Sequence, residues 1–539
     1  MQPISGSNTV LPAHVCVLRY ALERHAEERG DDVCAVFETG GSWTFAELLE
    51  EVRTVAAGLQ QLGVSQGDRV LIMMPNGASA LRVMFAANYI GAVSVPINTA
   101  YKGRVLEHVV RNSGAKLAFV HANLVGRLFE LENGELSLVV AAGECEAPNE
   151  TGPLEMVQSD ALFNAGSEPS PPSRDIQPWD VQSIIYTSGT TGPSKGALST
   201  YMHSFSACNP DVWTPTRADD RHLLHMPLFH IGGAFIASMS VCVGASFAVV
   251  ESFKTDRFWT VVRDLNVSAV FLLGAMATFL LKQPERPDEK EHPLRMVFIV
   301  PLGQSGPAFR DRFGVDYYTL FNMTEISTPL LSGPNPDKPS VCGRPRPGVE
   351  VRLVDENDCP VSQGQVGELV VRTDAPWAMS HAYNENPEAT ARAWRNGWFH
   401  TGDAFMVDAD GDYFFVDRMK DSIRRRGENI SSYEIEVELL SHPQIQEAAA
   451  VAVPSEVSED EVMVVLAPVT GEEINPVEIL EYLEPRIAYF MLPRYVRIVE
   501  ELPKTPTEKV QKHFLREDGV TSGTWDSKEA GFKARRESF

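Results

Sequence analysis

IIYTSGTTGPSKGALST, residues 184–200, is the stretch on which the reading of this chain turns. An apolar strand feeds into Thr187, Ser188, Gly189, Thr190, Thr191 and Gly192 and ends at Lys195. Glycines let backbone N–H groups approach an anion, hydroxyls add donors and the lysine adds a point charge; this is how a loop holds a phosphate. A Walker A loop needs Gly immediately before Lys and Ser or Thr after it. Here Ser194 precedes Lys195 and Gly196 follows. The run GALS after the loop predicts a second strand where a P-loop would open a helix. A plain Ser/Thr/Gly linker is the competing reading, and the flanking buried strands weigh against it.

Outward from this loop, the composition limits the partners. The 539 residues carry 47 Lys plus Arg against 72 Asp plus Glu, a net charge of -25. That field repels phosphate backbones, so no nucleic-acid partner is expected, and any basic group that meets an anionic ligand must be local. Hydrophobic residues make up 44% and charged residues 22%, enough apolar material for a large core. The 7 cysteines are widely spaced with no C-x-x-C pair, which argues against a disulfide framework or a cysteine zinc site and fits a reducing, cytoplasmic setting. The N-terminal MQPISGSNTVLPAHV lacks a basic start followed by an apolar run, so no secretory signal is expected. Ala234 to Val250 is the longest apolar stretch; its three serines, cysteine and glycine make it buried core, and no membrane span is expected.

Apolar runs bounded by turn signals alternate with helical patterns, the signature of α/β layers. Thr44 opens a helix through FAELLEEVRTVAAGLQQLG, with Glu47 completing a capping box and Gly63 ending it. Strands are expected at 68–76, 92–98, 117–121, 136–142, 182–187, 245–250, 268–273 and 296–300, and a helix over 78–91. Residues 143–180, rich in Glu, Pro, Ser and Asn, read as a surface connection. After 340 the texture becomes Gly- and Asp-rich β structure, and DADGDYFFVDR at 408–418 reads as a hairpin with a D-G turn. Past Lys420 comes a smaller unit with two helices and short strands such as 448–454. The boundary falls at 417–420, giving a domain of residues 1–417 and another of 418–539.

At the 184–200 loop the chain resembles the adenylate-forming, AMP-binding superfamily of acyl-CoA synthetases, carrier-protein adenylation domains and beetle luciferases. The resemblance runs from about residue 44 to Lys509 through several motifs in order. Within it, the texture is most like crotonobetaine/carnitine-CoA ligase-like acid–CoA ligases. It implies a large N-terminal domain of layered α/β sheets with a β-barrel-like subdomain, and a small mobile C-terminal α+β domain. FNMTE at 321–325 matches the family's aromatic-Gly-x-Thr-Glu segment, with Asn322 replacing the usual glycine beside the acyl group. A carboxylate beside a triphosphate makes sense if it recruits Mg²⁺, an oxygen-seeking cation, so Glu325 is the metal ligand, Thr191 a second one, and Thr324 a phosphate contact. Met323 and Asn322 line the nucleotide, as do Gly303 and Gln304 of VPLGQSG at 300–306, a looser match.

WFHTGD at 398–403 matches the element whose aspartate, here Asp403, binds both ribose hydroxyls. DRMKDSIRRRGENIS at 417–431 matches the hinge region. It gives Arg418 to the ribose or α-phosphate, Lys420 to the hinge, and Gly427, Glu428 and Asn429 to the pantetheine tunnel. Arg424, Arg425 and Arg426 either meet CoA phosphates or form a solvated face. Lys509, in ELPKTPTEKVQKHF, takes the place of the lysine that enters the site during adenylation, with Glu508 before it where many relatives have glycine. PLFHIGG at 227–233 puts His230 at the acyl gate, and Asn322 and Ser327 border the same pocket. His222, His225 and His230 lack companion carboxylates or cysteines at metal spacing, so buried or gating roles are expected.

The resemblance implies an ATP-dependent acid–CoA ligase that uses ATP, Mg²⁺ and coenzyme A. Adenylation that loads a carrier protein in trans, and a non-catalytic nucleotide-binding regulator, stand as alternatives. Pocket segments 230–235, 272–278, 302–305 and 321–328 hold small aliphatic residues and no counter-charge, which suggests a small to medium acid, aliphatic or carnitine-like.

Overall fold

Each layer of the first half is built on apolar strands too short to stand alone, capped by helices whose apolar faces cover them. The computed structural model describes residues 10–132, 134–145, 154–166, 168–187, 194–207, 215–418, 423–425, 428–430, 432–455, 460–487, 491–505 and 509–532, with main chain only at 417, 418, 424, 428, 429 and 434. It divides into two compact units, Met1–Val351 with Val371–Phe399, and Arg352–Val370 with His400–Phe539. The protein is a mixed α/β molecule of several sheets, larger in its N-terminal part.

The first unit contains two seven-stranded sheets. One runs Glu155–Gln158, Leu138–Ala142, Leu117–His121, Arg69–Met73, Val93–Pro96, Val181–Thr187 and Lys195–Thr200, parallel except for the last pair. The other runs Asp316–Tyr318, Met296–Val300, Ala269–Leu273, Arg221–Leu224, Ser246–Val249, Val33–Phe37 and Ser42–Thr44, again parallel but for its last pair. Parallel strands buried on both faces read as continuous apolar runs, which is why Arg69–Met73, Leu117–His121 and Met296–Val300 are visible in the sequence. Glu155–Gln158, Arg221–Leu224 and Asp316–Tyr318, with polar residues in the run, are not.

The helix Phe45–Gln61 forms where expected: Thr44 Oγ1 accepts the Glu47 amide and the Glu47 carboxylate accepts the Thr44 amide. Leu62 closes it and Gly63 follows at φ +87°. The 143–180 stretch is more than a surface connection. It contains the strand Glu155–Gln158 and the helix Asp160–Phe163, with Leu162 fully buried. Pro, Glu and Ser dilute its apolar residues and mask the pattern. Gly58 makes the seat, since a Cβ there would stand 2.7 Å from the Leu162 main chain. The stretch from Ala234 to Val250 is core, as helix Ile231–Val243 and strand Ser246–Val249. No helix among the described residues is long and apolar enough to cross a membrane.

The strand Trp398–Val407, in the second unit from His400 on, pairs antiparallel with Tyr413–Arg418, setting Asp403 opposite Arg418 in the ladder. Downstream, Ile445–Pro454 pairs antiparallel with Asp460–Pro468, which runs parallel to Tyr495–Ile498. Helices Ser432–Leu440 and Pro476–Leu483 cover that sheet, placing Ile435, Leu439, Ile479 and Leu480 against Val462 and Val464. A third helix, Lys512–Asp518, was not evident from the pattern because it is short and bears five polar residues.

Candidate functional site

The predicted hairpin around the phosphate loop is present: Val181–Thr187 and Lys195–Thr200 pair antiparallel, with Thr187 opposite Lys195. Thr187 Oγ1 donates to the Lys195 carbonyl at 3.3 Å, closing the foot of the loop. Ser188, Gly189, Thr190, Thr191 and Gly192 lie outside the described residues. Gly196 packs tightly over the neighbouring strand; a Cβ there would stand 2.6 Å from Ile184 Cγ2.

Lys195–Thr200 is the last strand of its sheet, and the segment 377–384 covers its free edge. Thr200 Oγ1 donates to the Trp377 carbonyl at 3.0 Å, the Leu198 amide to Ala382 at 3.0 Å, and the Asn384 amide to Gly196 at 2.7 Å. Asn384 is buried, donates from Nδ2 to the Asn112 carbonyl at 2.5 Å and accepts from Arg69 at 3.2 Å. These bonds fix Tyr383 between them. Its hydroxyl donates to Glu325 Oε1 at 2.7 Å, and Lys195 Nζ lies 5.2 Å from its ring centroid. Burial, then the Glu325 carboxylate, push the Tyr383 phenol far above its ordinary value, so it stays a donor.

Glu325 sits in the turn between antiparallel strands Leu320–Met323 and Ser327–Leu331, where Met323 faces Ser327. Thr324 and Glu325 are both buried, and the Ser380 amide donates to the Glu325 carbonyl at 2.8 Å. Among the described residues no protein donor takes Glu325 Oε2. A buried carboxylate with one oxygen anchored and the other open is an oxygen donor suited to Mg²⁺. Tyr383 is the residue of this site that motif reading missed, because its partners lie 58 and 188 positions away and meet it only in the fold.

The remaining first-unit candidates gather less tightly. Asn322 and Met323 lie half-buried on their strand, and Ser327 is buried at φ +58°. His230 N-caps the helix Ile231–Val243, its Nδ1 accepting the Gly232 amide at 3.1 Å. Gly303, at φ +54°, and Gln304 precede the helix Ser305–Phe313. The pocket segments 272–278 and 302–305 do meet, for Thr278 Oγ1 and Ser305 Oγ lie 3.2 Å apart. His222 and His225 are buried, and His225 Nε2 lies 2.6 Å from the Phe271 carbonyl. Burial pushes both down to about 4, so they are neutral core groups.

Asp403, Arg418, Glu428, Asn429 and Lys509 lie in the second unit. Asp403 is buried, its amide bonded to Thr401 Oγ1 at 3.1 Å, and Thr401 Oγ1 donates to the Leu369 carbonyl at 2.6 Å. Glu428 and Asn429 lie on the strand Glu428–Ile430, opposite Arg425 and Arg424. Arg425 is buried, bonding the Leu492 carbonyl at 2.9 Å and Glu461 at 2.6 Å, so this arginine belongs to neither a solvated face nor an open CoA site. Lys509 is exposed on a loop closed by the Thr505 amide donating to its carbonyl at 2.7 Å. Lys420 and Gly427 lie outside the described residues.

Residues 22–381 match the family model described as AMP-binding enzyme, and residues 434–509 match the AMP-binding enzyme C-terminal domain. Among curated proteins, the crotonobetaine/carnitine–CoA ligase of Salmonella paratyphi A is 30% identical over 514 residues, covering 93% of this chain and 98% of that one. Among solved structures, ATP-bound MatB from Rhodopseudomonas palustris is 25% identical with a TM-score of 0.79, covering 93% and 98%. The anthranilate CoA ligase AuaEII, solved with anthranoyl-AMP, shares the fold at a TM-score of 0.82 with 24% identity, covering 94% and 98%.

Proposed function

We propose a two-step reaction for this chain, which belongs to the AMP-binding enzyme family and is an AMP-forming acid–CoA ligase. In the first step a carboxylate oxygen of the acid attacks the α-phosphorus of ATP, and pyrophosphate leaves from the resulting acyl-adenylate. In the second, the CoA thiol attacks the acyl carbonyl and AMP leaves with the bonding electron pair. The observation that carries this reading is the meeting of Lys195, at the foot of the glycine-rich loop, and Glu325 on one half-buried tyrosine, Lys195 against its ring and Glu325 at its hydroxyl.

The loop from Thr187 to Lys195 and Thr324 hold the phosphates, and positioning with electrostatic stabilisation supplies most of the rate in such transfers. Glu325, with Thr191, would hold Mg²⁺, which when bound offsets phosphate charge. Lys509 neutralises charge developing between the acid and the α-phosphate. Asp403 and Arg418 take the ribose, and Gly303, Gln304, Asn322 and Met323 border the nucleotide. Rotation about Lys420, at the 417–420 boundary, then withdraws Lys509 and presents Gly427, Glu428 and Asn429 to CoA, an alternation that also shields the adenylate from water.

The substrate is a small to medium acid, aliphatic or carnitine-like, bordered by His230, Asn322 and Ser327, and the reaction runs in the cytoplasm. The curated relative's acid and the small aliphatic residues of the pocket segments support this. Incubating the protein with a carboxylic-acid panel, ATP, Mg²⁺ and CoA, and following AMP and acyl-CoA by mass spectrometry, tests it. AMP and acyl-CoA should appear together with small or trimethylammonium-bearing acids. Turnover confined to long-chain or bulky aromatic acids would remove the substrate assignment, and acyl-adenylate without CoA ester would point to a carrier-protein acceptor.

A further inference from the structure

We infer that Tyr383 is a positioning residue that holds the Glu325 carboxylate ready for the divalent cation; this rests on the reading of Glu325 as its ligand. The phenol donates to Oε1 at 2.7 Å, which turns the carboxylate and leaves Oε2 as its open oxygen. A glutamate in a three-residue turn has three rotatable side-chain bonds, and a hydrogen bond from a neutral donor restrains them without cancelling the charge the cation needs. Such outer partners of metal ligands are worth roughly 10–100-fold in affinity.

Tyr383 is itself held rigidly. Its amide donates to Thr390 Oγ1 at 3.0 Å, and the residues on either side bond to the Lys195–Thr200 strand. The same ring carries the Lys195 ammonium 5.2 Å from its centroid, an attraction that survives loss of the hydroxyl. One side chain therefore ties the foot of the phosphate loop to the metal carboxylate, and the two contacts separate by substitution. Phe at 383 keeps the ring and removes only the bond to Glu325. A residue that merely filled space would tolerate that change.

The test compares wild type, Tyr383→Phe and Glu325→Gln in the full chain. Binding of Mn²⁺ to the protein–ATP complex is titrated by the loss of the free-ion electron paramagnetic resonance signal, with thermal unfolding as the control for folding. Tyr383→Phe should weaken Mn²⁺ binding about tenfold and raise the Mg²⁺ needed for half-maximal adenylation by a similar factor. It should leave thioester formation from supplied acyl-adenylate unchanged. If Glu325→Gln weakens Mn²⁺ binding and Tyr383→Phe does not, the role of Tyr383 is overturned while that of Glu325 stands. If neither weakens it, the metal reading of Glu325 falls, and this inference with it.

Discussion

Glu368 Oε1 accepts the Gly402 backbone N–H at 2.9 Å, so one carboxylate fixes the glycine that precedes Asp403. Its other oxygen lies 2.9 Å from Nδ1 of buried His400. The ribose-binding aspartate proposed here is thus aimed by a residue 35 positions earlier in the chain. Glu368→Ala removes both anchors. Hydrogen bonds to charged groups contribute roughly 1.5–3 kcal/mol, so the KM for ATP should rise about tenfold or more. The KM for CoA should hold nearly constant in steady-state assays. An unchanged ATP KM would detach Glu368 from nucleotide binding.

Asp220 and Arg295 form an ion pair just before the strands Arg221–Leu224 and Met296–Val300. Asp220 is 2% exposed; its Oδ1 accepts from Arg295 Nε at 2.8 Å and from Ser268 Oγ at 2.7 Å. Burial pushes this carboxyl up, but the bonds from Arg295, Ser268 and the Arg217 amide outweigh it and leave it below the usual range. Removing one partner of a buried pair costs about 3–5 kcal/mol, so Arg295→Ala should lower the urea midpoint markedly. Because the folded carboxyl is the more acidic, its contribution is complete above about pH 4 and fades as pH falls through the lower folded value. Asp220→Asn should flatten that acid limb, as read by urea unfolding between pH 5 and 3.

His203 is fully buried on the helix Tyr201–Ser206, and among the described residues neither ring nitrogen has a hydrogen-bond partner. Burial holds it down to about 3, and His222 and His225 to about 4. In the unfolded chain each imidazole takes a proton near pH 6.5 that the folded chain refuses. Stability is therefore whole above that pH and declines as pH drops toward the folded values, by about 1.4 kcal/mol per pH unit per group. His203→Leu sacrifices no hydrogen bond and should narrow the gap between urea midpoints at pH 7 and pH 5. A gap as wide as in wild type would mean the imidazole is already protonated in the fold.

Much of this was legible before the fold was known, and the reasons are physical. The strands at 117–121 and 296–300 showed themselves because their first four positions are all apolar and buried, whichever face they point to. The Thr44–Glu47 capping box is a local signal four residues long and needs no tertiary context. The strand Glu155–Gln158 failed both tests: it is short, only partly buried, and set among proline and glutamate. Of the site, Lys195 and Glu325 could be picked from their motifs. Tyr383 could not, because a tyrosine in YNENPEAT has no chemistry of its own until the sheet edge brings Glu325 to it. The three arginines at 424–426 left two readings open, and for Arg425 burial against Glu461 answers with a third, a structural ion pair.

Lys509 supplies the sharpest division between the two half-reactions. Its loop is anchored by Lys504, whose Nζ lies 2.6 Å from Glu447 Oε1, and by the pairing of Lys504 with Val510. Lys509, whose carbonyl accepts the Thr505 amide at 2.7 Å, has an exposed side chain beside this anchor. A cation needed only while charge develops at the α-phosphate should matter only to adenylation, and losing such a group costs roughly 10²–10³ in rate. Lys509→Ala should slow acyl-adenylate formation, measured as pyrophosphate release, by that factor. Conversion of supplied acyl-adenylate and CoA to the thioester should fall far less, since the proposed alternation withdraws the lysine in that step. Equal losses in both half-reactions would contradict the alternation and leave Lys509 a general structural or binding group.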